Sequence, residues 1–174
     1  ALYFKEIGLN LHDTMIWQKD GFTAVGSLKT RYAPVFEYMF ILSKDKPKTF
    51  NPLIDKLNKS YGRKYDGTIR QKNGQTKPIS SNGKKIKEYG IRYNIWKTNS
   101  EKSNKTNHPA VFPLKLVQDH IKTWSNENDL ILDCFMGSGT TGLACKNLNR
   151  KFIGIEIDQE YFKIAKNRIE STLI

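Results

Sequence analysis

The chain has 174 residues, of which 38% are hydrophobic, and a formal net charge of +12. No window approaches the ~18 apolar residues that a membrane span needs, and the first residues lack a signal-peptide layout. The two cysteines, Cys134 and Cys145, form neither a metal-type pair nor a disulfide framework, which leads us to expect no metal site and a reducing, cytoplasmic setting.

The charge is unevenly placed. Residues 44–105 hold seventeen Lys/Arg against five Asp/Glu, while the rest of the chain holds twelve of each. A neutral body with one basic segment is what an electrostatic docking surface for a polyanion requires.

In chain order, residues 14–17 are short, apolar and β-prone, and residues 35–42 form a second, aromatic-rich strand. Between them Asp20-Gly21 and Gly26-Ser27 mark a loop carrying Lys19, Lys29 and Arg31. Residues 44–105 then change character. Five glycines punctuate a lysine-rich stretch in which Tyr61, Tyr65, Tyr89, Tyr93 and Trp96 are interleaved. A solvated loop has this composition, and so does a nucleic-acid surface on which rings stack on bases while lysines hold phosphates.

Regularity returns at residue 107. His108-Pro109-Ala110-Val111-Phe112-Pro113 is extended, and a helix should follow with Pro113 in its first turn. Leu114, Val117, Ile121 and Trp124 would form its apolar face. Residues 130–135 predict a buried strand, 137–142 a tight loop, 143–148 the start of a helix, 152–157 a strand and 159–169 a last helix. Its packed face would carry Tyr161, Ile164, Ala165 and Ile169. Cys134 points away from its strand neighbours and is expected in the core. Strand, helix, strand, helix in this order argues a βαβ unit of a parallel sheet.

Residues 137–142 fit G-x-G-x-x-G between a strand and a helix, and Glu156 ends the next strand. A carboxylate there can accept hydrogen bonds from both ribose hydroxyls. A nucleoside triphosphate would want Gly-Lys-Ser/Thr at the loop end, but Leu143 follows Gly142. A dinucleotide would place a pyrophosphate near Asp133, whose charge opposes it. S-adenosylmethionine offers an ammonium and a sulfonium, which a carboxylate favours. Only 35 residues follow Gly139, so the other strands must precede it. The expected fold class is therefore α/β with a circularly permuted sheet.

The run Asp133-Cys134-Phe135-Met136-Gly137-Ser138-Gly139-Thr140-Thr141 resembles the first motif of the β-group DNA amino-methyltransferases. Residues 152–158 resemble their second motif and 108–113 their motif X. Residues 13–19 and 36–44 resemble the strands before their target-recognition region. The resemblance implies a Rossmann-like methyltransferase sheet with a basic, turn-rich insert. Its parts would be the end of the catalytic half (1–44), the DNA target-recognition insert (45–105) and the S-adenosylmethionine-binding half (106–174). It also implies that Asp133, Phe135, Gly137, Ser138, Gly139, Thr140, His108, Ala110 and Phe112 line the cofactor pocket, with Glu156 on the ribose. Double-stranded DNA would meet Arg63, Lys64, Arg70, Lys84, Lys85, Lys87 and Arg92.

The family's catalytic motif, Asp/Asn/Ser-Pro-Pro-aromatic, has no match, because the chain holds no Pro-Pro pair. Its permuted position would be upstream of Ala1, so no catalytic residue is named. With no initiator Met, the chain is expected to be part of a longer protein, and inactive alone. The implied reaction is methyl transfer to an exocyclic amine, with adenine-N6 preferred over cytosine-N4. A non-catalytic DNA-binding module and an NAD-dependent oxidoreductase remain as alternatives. Homodimerisation, a cognate restriction enzyme and the target sequence stay open. Twenty-three lysines against six arginines suggest an AT-rich bacterial or phage genome.

Overall fold

The computed structural model describes residues 2–21, 28–98 and 112–171. The chain divides into two compact units, 1–51 with 94–174, and 52–93.

In the larger unit a short helix α1 (Leu2–Glu6) leads into β1 (Asn10–Gln18), which pairs antiparallel with β2 (Phe36–Ser43). β1 is longer than the sequence pattern predicts, while β2 has the expected eight residues, shifted by one. A register shift between Leu11 and Asp13 bulges the start of β1. Alternation along the strands sets two unlike faces. Met15 and Trp17 are buried on one, while Phe36, Tyr38 and Phe40 lie exposed on the other, Tyr38 stacked on Phe40.

The smaller unit (52–93) is one antiparallel excursion. β3 (Lys56–Leu57) pairs with β6 (Tyr89–Gly90), and β4 (Thr68–Arg70) with β5 (Thr76–Pro78), with a Lys64–Lys85 bridge between. Its tip is closed by Gly74 in the left-handed region (φ 83°), where a side chain would be strained. The base is closed by Asp55 with Arg92 and by Lys56, whose ammonium lies 4.4 Å from the Tyr93 ring centre.

Back in the larger unit, β7 (Ile95–Lys97) joins β1 in parallel, setting Trp96 opposite Trp17. The ring of Phe112 leans on Trp17. Helix α2 (Leu114–Trp124) follows, with Pro113 as its N-cap residue. β8 (Leu130–Asp133) and β9 (Lys151–Gly154) form a parallel pair linked by α3 (Thr140–Asn147), and α4 (Gln159–Ser171) closes the order. This is the βαβ unit read from the pattern, with strands two residues shorter.

Helix α2 serves both sheets. Ile121 joins Ala144 and Cys145 in a core completed by Leu114, Val117, Ile131, Leu148 and Phe152. One residue earlier, His120 packs at a tilt against Trp96 and meets the Met39 sulfur at 3.0 Å. The last carbonyls of α2 are capped from both sides. Asn51 Nδ2 donates to the carbonyls of Lys122 and Ser125 at 3.2 Å each, and Arg150 Nη2 to that of Ser125 at 2.9 Å. These bonds satisfy helix-end groups that would otherwise need water.

Two expectations are corrected. Cys134 is exposed, and only Cys145 is buried. The helices cover one face of β8–β9, so the alternate face, with Leu130, Leu132 and Ile153, is open, and the strand is covered on one side only.

Candidate cofactor loop and basic surface

The turn after β8 is built by its own carboxylate. Asp133 Oδ1 accepts from the Phe135 N–H at 3.0 Å, and Oδ2 from the Thr141 hydroxyl at 2.6 Å. Gly137 (φ 51°) and Gly139 (φ 81°) take the left-handed conformations that let the chain reverse into α3. Ser138 between them is 4% exposed and Thr140 is buried.

Glu156 comes back to the same turn from beyond β9. Its Oε2 accepts from the Gly137 N–H at 2.9 Å, and its Oε1 from the Asp158 N–H at 2.9 Å. Asp158 then caps α4, its Oδ1 accepting from the Glu160 and Tyr161 N–H groups at 2.9 Å. One carboxylate thus ties the glycine turn to the start of the last helix.

Glycine is demanded by packing as well as by φ. A Cβ on Gly139 would lie 2.8 Å from the Ala165 Cβ and 2.9 Å from its Cα. At Gly142 it would lie 2.2 Å from Ile169 Cδ1. α4 therefore presses directly on the loop.

Above this frame two large apolar side chains stand in solvent. Phe135 is 91% exposed and Ile157, the residue after Glu156, is 98% exposed. Exposed apolar groups flanking paired carboxylates suit a ligand with a flat ring, a diol and a positive charge.

The turn brings together Asp133, Phe135, Gly137, Ser138, Gly139, Thr140 and Glu156. Phe112 is packed on Trp17, and His108 and Ala110 lie outside the described residues. Three contributors escaped the sequence reading. Ile157 could have been found as an apolar residue just past the acidic strand end. Arg168 and Lys146 could not. Arg168 Nη1 donates to the Ser138 carbonyl and, at 3.0 Å, to its hydroxyl, while Lys146 Nζ donates to the Ile169 carbonyl at 2.7 Å. Neither pairing has a local sequence signal.

In the smaller unit Arg63, Lys64, Arg70, Lys84, Lys85 and Lys87 are exposed. Arg92 is half-buried, and its Nε donates to both Asp55 oxygens, at 3.0 and 3.1 Å. Its charge closes the base of the excursion, so it is set apart from the six exposed cations. Residues 52–93 hold eleven Lys/Arg against three Asp/Glu.

The fold and the turn define a Rossmann-like α/β methyltransferase architecture. A solved structure described as the M1.HpyAVI–SAM complex superposes with a TM-score of 0.66 at 32% identity, covering 97% of this chain and 67% of that one. The family described as DNA methylase, of the N6/N4 class, matches residues 1–167. The chain is 48% identical to the orphan methyltransferase M.BamHII of Bacillus amyloliquefaciens over its whole length and 68% of that protein. It is 33% identical to the type II methyltransferase M1.MboII of Moraxella bovis over 94% of this chain and 64% of that protein. The chain belongs to the N6/N4 family of DNA amino-methyltransferases. It spans about two thirds of the length of these two relatives.

Proposed function

We propose that the protein methylates an exocyclic amine of DNA bases, and that this chain supplies its cofactor loop and a DNA-contacting surface. The observation that carries this reading is the glycine turn held by Asp133 and Glu156, with the exposed side chains of Phe135 and Ile157 adjoining it in sequence. S-adenosylmethionine would supply an activated methyl group on a sulfonium. A carboxylate offers about four acceptor positions, and the two backbone donors on Glu156 use two of them, which leaves capacity for a ribose diol. Phe135 and Ile157 would shield the ligand's apolar parts from water. A dinucleotide is disfavoured, because the Asp133 carboxylate at the turn would oppose its pyrophosphate.

Arg63, Lys64, Arg70, Lys84, Lys85 and Lys87 would neutralise backbone phosphates, which gives affinity without reading sequence. Reaching an amine inside a duplex requires the base to leave the stack. Adenine-N6 is the preferred product on family frequency, with cytosine-N4 second. A Pro-Pro-aromatic motif is absent from the chain, so the chain alone is expected to bind cofactor and DNA without transferring methyl groups.

The test is transfer of labelled methyl from S-adenosylmethionine to plasmid DNA by the whole protein, with nucleoside analysis of the product. N6-methyladenine is the expected result. Bound cofactor with no methylated nucleoside would overturn the reading and favour a non-catalytic DNA-binding module.

A further inference from the structure

We propose that Arg168 is a positioning residue for the cofactor loop, locking the Ser138–Gly139 peptide from helix α4. The inference rests on the cofactor reading above for its consequence, though not for its geometry.

The peptide in question is unusually free to turn. Gly137 and Gly139 on either side have φ of 51° and 81°, and glycine crosses between such conformations at little cost. Two bonds hold it. At one end the Gly139 N–H donates to the Met136 carbonyl at 2.8 Å. At the other, Arg168 Nη1 donates to the Ser138 carbonyl and hydroxyl. A charged donor makes the stronger kind of hydrogen bond. The contact is partly buried, so water substitutes poorly for it.

Arg168 is placed by the same helix face that presses on the loop. Ala165 is fully buried against Gly139, Ile169 lies against Gly142, and Arg168 stands between them at helical spacing. Lys146, in the last turn of α3, ties the two helices together by donating to the Ile169 and Glu170 carbonyls at 2.7 and 3.2 Å. The start of α4 hangs on Asp158 and Glu156. The helix therefore couples the ribose carboxylate to the turn, and Arg168 is the link at the turn's centre.

The experiment compares Arg168→Met, Arg168→Lys and Ser138→Ala in the intact chain. Two readouts are used, amide hydrogen exchange along 133–145 and calorimetric titration with S-adenosylmethionine. In Arg168→Met, exchange at the Gly139 amide should accelerate about tenfold, with β8 and α4 unchanged, and cofactor affinity should fall about tenfold. Arg168→Lys should recover part of both. Ser138→Ala, which keeps the carbonyl and removes only the hydroxyl contact, should leave Gly139 exchange nearer the unsubstituted chain than Arg168→Met does.

Unchanged Gly139 exchange in Arg168→Met overturns the proposal, as does faster exchange spread evenly over β8 and α4, which marks general loosening. Faster exchange with unaltered cofactor affinity overturns it too. Failure of the unsubstituted chain to bind cofactor would remove the proposed function, while the exchange data would still decide the lock.

Discussion

Gly139 shows how tightly a single position can be specified. Its φ of 81° disfavours any side chain, and the nearest atoms belong to the backbone and Cβ of Ala165, which cannot swing away. Gly139→Ala should cost at least ~2 kcal/mol and lower the melting temperature by roughly 4–8 °C, read by calorimetry. The two cysteines separate by environment. Burial pushes the Cys145 thiol up to about 11, with Arg150 opposing and Asp133 adding to the rise. Cys134 is exposed. A thiol reagent should therefore titrate one cysteine in the folded chain and two after denaturation. His120 gives a pH dependence. Burial lowers its pKa below 6.5, against the pull of Asp119. The folded state thus resists protonation more than the unfolded chain does. The contribution is full above about 6.5 and is lost as pH falls below it. His120→Asn should flatten the fall in thermal stability between about pH 7 and pH 5. An unchanged slope would show that other groups dominate.

At the scale of elements, the last helix and the end of α2 carry more than their own sequence reveals. The periodicity that marked Tyr161, Ile164, Ala165 and Ile169 correctly gave the packed face of α4, because all four are buried or half-buried. It could not show that this face meets glycines, since that contact arises from close approach of backbones. The glycine turn and Glu156 were legible because strand, loop and helix adjoin along the chain. The capping of α2 by Asn51 and Arg150 was not, for its partners lie 71–74 and 25 residues away. Nor was the exposure of Cys134. Alternation assigned it to the core as a strand residue, but β8 ends at Asp133 and Cys134 lies in the exposed turn beyond it. Asn51→Ala should lower stability by about 1–2 kcal/mol in denaturant titration, because the carbonyls of Lys122 and Ser125 lose the Asn51 side-chain donor.

For the whole molecule, charge separates two tasks. Residues 52–93 hold eleven Lys/Arg against three Asp/Glu, while the much longer larger unit holds eighteen against fourteen, so the positive charge is densest in the smaller unit. The sequence placed the basic segment at 45–105, while the compact unit is narrower, because Trp96 and its neighbours belong to β7 of the larger unit. Reversing charge at Lys84, Lys85 and Lys87 should weaken binding to duplex DNA of any sequence and reduce the salt slope by about 3. Among the described residues no helix is long and apolar enough to cross a membrane.

The cofactor site is tested most directly by calorimetric titration of the chain with S-adenosylmethionine and, separately, NADH. Saturable one-to-one binding of S-adenosylmethionine is expected, weakened about tenfold or more by Glu156→Ala, with no response to NADH. A folded chain that takes up no S-adenosylmethionine at millimolar concentration, or that binds it equally well without the Glu156 carboxylate, would contradict the assignment.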